Sequence, residues 1–282
     1  MVLRAVLALA AMLVFAAPAK AQAQGVEQNE PIAIGTSHRV FYNGVERRVN
    51  VVVPRAYDEG ETAYPLVVVL DGGLDQDFFL TLGLYRWNRL WQRSAPAICA
   101  GVETVERQRE LLPPTNAPEE IERYPTAGES AAFRAWLAND VLPMLRSNYR
   151  DDGRAFLIGE SAAGHFVLET WVQTPGLFHG YGAISPSLQW SDQHLARNFV
   201  AAEYRPRPPL YISLADEGGA TEEGVLRVVG NLEGERCFSD RRDELVHANA
   251  LHGLLPEALQ YLLPTEADWL DEFGLTLRCD TD

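Results

Sequence analysis

The chain has 282 residues, with 24 Lys and Arg against 39 Asp and Glu, giving a formal net charge of -15. Such an acidic balance argues against nucleic acid and anionic membrane surfaces as partners and suits a small or neutral substrate. Three cysteines, Cys99, Cys237 and Cys279, have no zinc-ligand spacing, so neither a metal nor an organic cofactor is implied.

In chain order, residues 1–23 read as a secretory signal peptide: one early charge at Arg4, an apolar core over 5–17, then Ala19-Lys20-Ala21 and Ala21-Gln22-Ala23 as small-x-small cleavage sites. The apolar core falls short of the roughly 20 residues of a spanning helix, which predicts an exported protein, periplasmic or secreted, with no stable membrane insertion once the leader is removed. Residues 24–282 are then long enough for a single domain. In an exported protein three cysteines suggest one disulfide, taken here as Cys237 with Cys279, leaving Cys99 as a small buried residue.

Residues 37–42 and 45–53 alternate around Asn43-Gly44, which predicts an antiparallel hairpin. Continuous apolar runs follow at 65–70, 97–102, 155–158, 180–184 and 210–214, the mark of strands covered on both faces. Helical patterns lie between them at 78–92, 130–147, 162–172, 192–202 and 222–232, with a C-terminal helix over 256–263. Strand and helix in alternation predict an α/β fold with a mostly parallel sheet and helices on both faces. Residues 103–129, with four prolines, read as a long irregular stretch placed to wall a pocket.

The chemistry concentrates at Gly159-Glu160-Ser161-Ala162-Ala163-Gly164, where an apolar strand runs through Gly-x-Ser into a helix. A serine hydroxyl is a weak nucleophile, and a tight strand-to-helix turn exposes it beside helix amides that face developing negative charge. The pattern departs from G-x-S-x-G at Ala163, its glycine arriving one residue late at Gly164. A triad on such a sheet follows the order nucleophile, acid, histidine. The acid then falls on Asp216 or Glu217, just after 210–214, and the histidine on His247 or His252. The backbone amides of Ala162 and of Gly73, the latter in Asp71-Gly72-Gly73, are the expected oxyanion donors.

Three further segments, with the elbow, carry a resemblance. They are Tyr64-Pro65 through Leu70-Asp71-Gly72, Phe133-Arg134-Ala135-Trp136-Leu137 through Leu142-Pro143 to Asn148-Tyr149-Arg150, and Pro175-Gly176-Leu177-Phe178-His179-Gly180-Tyr181 leading to Ile184-Ser185-Pro186-Ser187-Leu188-Gln189-Trp190. Together they resemble the esterase family of α/β-hydrolases that includes esterase D-like enzymes and siderophore trilactone esterases. The resemblance implies an α/β-hydrolase fold. It selects His247 over His252, by its distance from Ala258-Leu259-Gln260-Tyr261-Leu262, and favours Glu217 over Asp216. Ala163 and Ala215 stand where the family usually has glycine.

The expected activity is that of a serine esterase acting on a carboxylic ester or lactone, siderophore-like or a small acyl or aryl ester, through an acyl-enzyme. Ser161 attacks, His247 is the base, and Glu217, alternatively Asp216, orients it. Ser187 and Trp190 line the substrate pocket, whereas Arg107, Arg109 and Arg123 are read as loop arginines without a substrate role. Two rivals stand beside this: an acyltransferase using the same acyl-enzyme, and an inactive hydrolase fold kept for binding.

Overall fold

The computed structural model describes residues 31–199 and 207–280. The expected signal peptide, 1–23, lies outside them, as does the end of the helix expected over 192–202. Strands β1 (Thr36–Tyr42) and β2 (Val45–Val52) form the antiparallel hairpin, turning through Asn43 and Gly44 at φ 50° and 76°. The chain continues through β3 (Tyr64–Leu70), α1 (Phe78–Leu90) and β4 (Ile98–Val102). Two short helices, α2 (Arg107–Leu111) and α3 (Pro118–Arg123), precede α4 (Ser130–Trp136) and α5 (Leu142–Asn148). Next come β5 (Asp151–Glu160), α6 (Ala162–Gln173), β6 (Gly180–Ile184), α7 (Trp190–Arg197), β7 (Leu210–Leu214), α8 (Gly219–Val229), β8 (Arg236–Asp240) and α9 (His247–Leu262).

The eight strands form one sheet in the order β1-β2-β4-β3-β5-β6-β7-β8. The hairpin joins β4 antiparallel, and the other neighbours, from β4 through β8, are parallel. Alternation within the apolar runs explains why they are apolar throughout. Leu66, Val68 and Leu70 of β3 pack toward α4, α5, α6 and α8, while Val67 and Val69 pack toward α1 and α9. This is the α/β-hydrolase architecture expected from the sequence.

Three elements differ from the expectation. Residues 103–129 are not irregular throughout but hold α2 and α3. They are tied down by Glu110, which is buried, pairs with Arg47 of β2 and accepts the Val105 and Glu106 amides. Strand β8 was not expected, because Arg236–Asp240 sets only Cys237 and Phe238 among polar residues at the sheet edge. Helix α9 starts nine residues before Pro256, which sits inside it. Its start is set by Asn249, whose side chain accepts the Val246 N–H at 2.8 Å. Cys237 and Cys279 are disulfide-bonded, and Cys99 is free and buried.

Candidate active site

The carboxyl ends of the parallel strands converge on Ser161, the usual place for ligands in such sheets. Ser161 lies between β5 and α6 at φ 59° and ψ -118°, a strained conformation for a residue with a side chain. Three backbone hydrogen bonds fix it: its amide to Ile184 O at 3.0 Å, and its carbonyl from His165 N at 2.9 Å and from Ser187 N at 3.0 Å. Glycine is required on either side. A Cβ on Gly159 would lie 2.7 Å from Ala163, backbone and methyl alike, and one on Gly164 would lie 2.8 Å from Ile184 O. The extra methyl of Ala163 thus fits because Gly159 faces it. Ala162 opens α6, so its amide stands at the helix N-terminus beside Ser161.

Helix α9 begins with His247. Its Nδ1 donates to Glu217, 2.8 Å from Oε2 and 3.0 Å from Oε1. The Asp216 amide donates to Leu245 O at 2.8 Å, and Asp216 bridges to Val246 in a parallel ladder, which joins the two loops and sets Glu217 beside His247. Asp216 itself points to solvent, and Gly218 and Gly219 at positive φ make the turn that follows. The Glu217 side chain is nearly buried while that of His247 is half exposed. The hydrogen bond to Glu217 raises the His247 pKa most, burial opposes it, and Glu160 adds to the rise. With Nδ1 committed to a carboxylate, Nε2 is the nitrogen available for proton transfer.

Nε2 does not meet Ser161 in this conformation. It faces Glu160 Oε1 at 3.6 Å, and Ser161 Oγ pairs with Ser187 Oγ at 3.1 Å. Among the described residues no hydrogen bond joins Ser161 Oγ to His247. The expected oxyanion donor Gly73 is also engaged: its amide donates to Gln76 Oε1 at 2.9 Å, and Gln76 Nε2 donates to Thr104 O at 2.7 Å. Gly72 cannot be other than glycine, since its Cβ would lie 2.2 Å from Gly101 Cα.

Trp190 is buried against Leu112 and Ala162, its indole N–H donating to Pro113 O at 2.9 Å. It lines a cavity of about 210 Å³ with His165 and Glu169. His165 is fully enclosed, and burial lowers its pKa to about 3, so it stays neutral. His252 lies exposed along α9. A larger cavity, about 780 Å³, is lined by Tyr64, Arg86 and Trp87 near the start of β3 and shares no residue with the elbow.

Reasoning from sequence missed three residues that complete this site. Glu160 was passed over as the variable position of Gly-x-Ser, although a carboxylate ending an apolar strand was a visible signal. Arg107, set aside as a loop residue, donates to Asp71 Oδ2 at 2.7 Å and to the Glu160 carbonyl at 3.1 Å. The hold of Gln76 on Gly73 depends on a loop geometry that sequence does not display. No group of three or more His, Cys, Asp or Glu among the described residues is arranged to hold a metal, and none of their helices is long and apolar enough to cross a membrane.

Residues 42–238 match the family described as "Putative esterase". The ferri-bacillibactin esterase BesA of Bacillus subtilis is 29% identical over 136 residues, covering 43% of this chain and 47% of BesA, so the chain spans about half the length of that relative. Among solved structures, the siderophore hydrolase EstA of Aspergillus nidulans superposes with a TM-score of 0.68 at 20% identity, over 84% of this chain and 97% of its own. The BES protein of Bacillus cereus gives 0.68 at 17% identity over 85% and 99%, and an IroE-like serine hydrolase of Shewanella oneidensis gives 0.67 at 20% over 81% and 80%. By its fold and by a family match covering most of its length, the chain belongs to this esterase family of α/β-hydrolases.

Proposed function

We propose that the protein is a serine esterase that hydrolyses a siderophore-like ester or lactone outside the cytoplasm. The observation that carries this reading is the strained Ser161 at the head of α6, with the His247–Glu217 pair drawn up to its chain neighbour Glu160. The Ser161 hydroxyl gives its proton to His247 Nε2 as Oγ attacks the ester carbonyl carbon. The Ala162 and Gly73 amides hold the resulting oxyanion, Gly73 on release from Gln76. Collapse expels the alkoxide, which takes the proton back from Nε2 and leaves the acyl chain on Ser161. Water then gives a proton to Nε2 as it attacks the acyl carbon, and collapse of this second adduct expels Ser161 Oγ, which takes the proton back from Nε2 as the acid departs. The substrate class draws on the names of the relatives, a ferri-bacillibactin esterase and a siderophore hydrolase. Export draws on the leader-like residues 1–23.

The test is turnover of a cyclic catecholate trilactone and of short-chain aryl esters by the purified full chain, read by mass spectrometry against Ser161→Ala. The expected result is ring opening that Ser161→Ala abolishes. Cleavage of aryl esters alone overturns the substrate class, transfer of the acyl group to an added alcohol in preference to water favours an acyltransferase, and no cleavage overturns the esterase reading.

A further inference from the structure

Glu160 has no part in the mechanism above, yet it occupies the position that matters most for the base. It is the residue before the nucleophile, its side chain is largely buried at the end of β5, and its Oε1 is 3.6 Å from the nitrogen that must receive the Ser161 proton. His247 therefore lies between two carboxylates, Glu217 on Nδ1 and Glu160 on Nε2. Ser161, meanwhile, is partnered by Ser187. Two adjacent residues of the elbow, Glu160 and Ser161, compete for one ring nitrogen.

We infer that Glu160 is a positioning residue whose carboxylate pairs with the protonated His247 Nε2, holding the imidazole off Ser161 until that proton leaves. The inference rests on His247 being the base of the proposed esterase. While Nε2 carries that proton it cannot accept another. Once it is lost, a neutral ring presents a lone pair to a carboxylate, the two repel, and rotation brings Nε2 to the donor next along the chain, the Ser161 hydroxyl.

The charged groups around Glu160 fit this role. Burial raises its pKa to about 7, partly offset by His247 on α9 and by Arg107 on α2, and reinforced by Asp77 at the start of α1 and Glu217 after β7. Arg107 is committed to Asp71, and His252 of α9 acts on Asp77. The His247 pKa is raised, so the ring is protonated below that raised value and serves as a base only above it. The onset of activity therefore lies to the alkaline side of an ordinary histidine.

The experiment is a pH titration of the His247 imidazole nitrogens by long-range proton–nitrogen correlation NMR in the full chain, for wild type, Glu160→Gln and Glu160→Ala, with the signal assigned through His247→Gln. Fluorophosphonate labelling of Ser161 is followed over the same pH range. The expected wild-type midpoint lies above the ordinary 6.5. Both variants bring it down by about 1 pH unit or more, since a neighbouring opposite charge moves a pKa by about 1 to 3. Labelling at pH 6 then rises about tenfold, because the free-base fraction grows about tenfold when the midpoint falls by about 1 pH unit. A wild-type midpoint at or below 6.5 overturns the inference whether or not the variants fold, and a midpoint unmoved in folded variants overturns it as well. Absent labelling in the wild type at every pH overturns the esterase reading instead, because the NMR titration still reports on the Glu160–His247 pair.

Discussion

The two halves of the proposed catalytic arrangement are built differently. The nucleophile side is fixed by backbone and packing: Ser161 is held by three main-chain hydrogen bonds, and Gly159 and Gly164 sit where no Cβ has room. The base side is held by side chains at the surface. His247 is half exposed at the start of a helix and is placed by two carboxylates, one on each ring nitrogen. The difference teaches where this site is tunable. A close-packed turn is all or nothing, whereas an imidazole between two carboxylates changes its readiness with each proton.

The contrast is tested most severely by removing the nucleophile. Ser161→Ala is expected to lower ester turnover by about 10⁴-fold or more while leaving the fold intact, the effect of removing a serine nucleophile; thermal melting beside steady-state kinetics checks both. Glu217→Gln removes the charge that orients and raises His247, and turnover is expected to fall by about 10²- to 10⁴-fold. Asp216→Asn, which touches only a solvent-facing side chain, leaves turnover within about twofold. Equal effects of these two substitutions would contradict the assignment of Glu217. Gly159→Ala forces a methyl against the Ala163 backbone and is expected to destabilise the protein by about 1–3 kcal/mol, read from the denaturant midpoint. The smallest effect is expected at Gln76. Gln76→Ala frees the Gly73 amide, and turnover rises about two- to tenfold, the worth of one neutral hydrogen bond. A fall would mean that Gln76 serves to shape the loop.

How much of this was legible in the sequence follows the same division. Strand β6 coincides with its apolar run, and the elbow is readable because glycine, serine and small residues are local requirements. Chain order narrows the acid and histidine to two residues each and the resemblance picks Glu217 and His247, but the Asp216–Val246 bridge that draws the two together joins segments 30 residues apart and is not legible in the sequence. Pro256 misled the reading of α9, because a proline marks a helix start more often than an interior; here Asn249 opens the helix instead, and the Pro256 carbonyl accepts a hydrogen bond from Asn88. Trp190, expected to line the substrate pocket, is buried with its indole N–H on Pro113 O and lines the smaller cavity beside His165 and Glu169. For Glu160 the sequence displays a carboxylate ending an apolar strand but not its proposed role, because that depends on a histidine from a distant loop being folded against it.

The proposed esterase requires an activated Ser161, and the most direct measurement is covalent labelling of the full chain by a fluorophosphonate, located by peptide mapping. One adduct is expected, on Ser161, absent in Ser161→Ala and slowed at least about a hundredfold in His247→Ala. Folded protein that takes no label, or takes it at another residue, would contradict it.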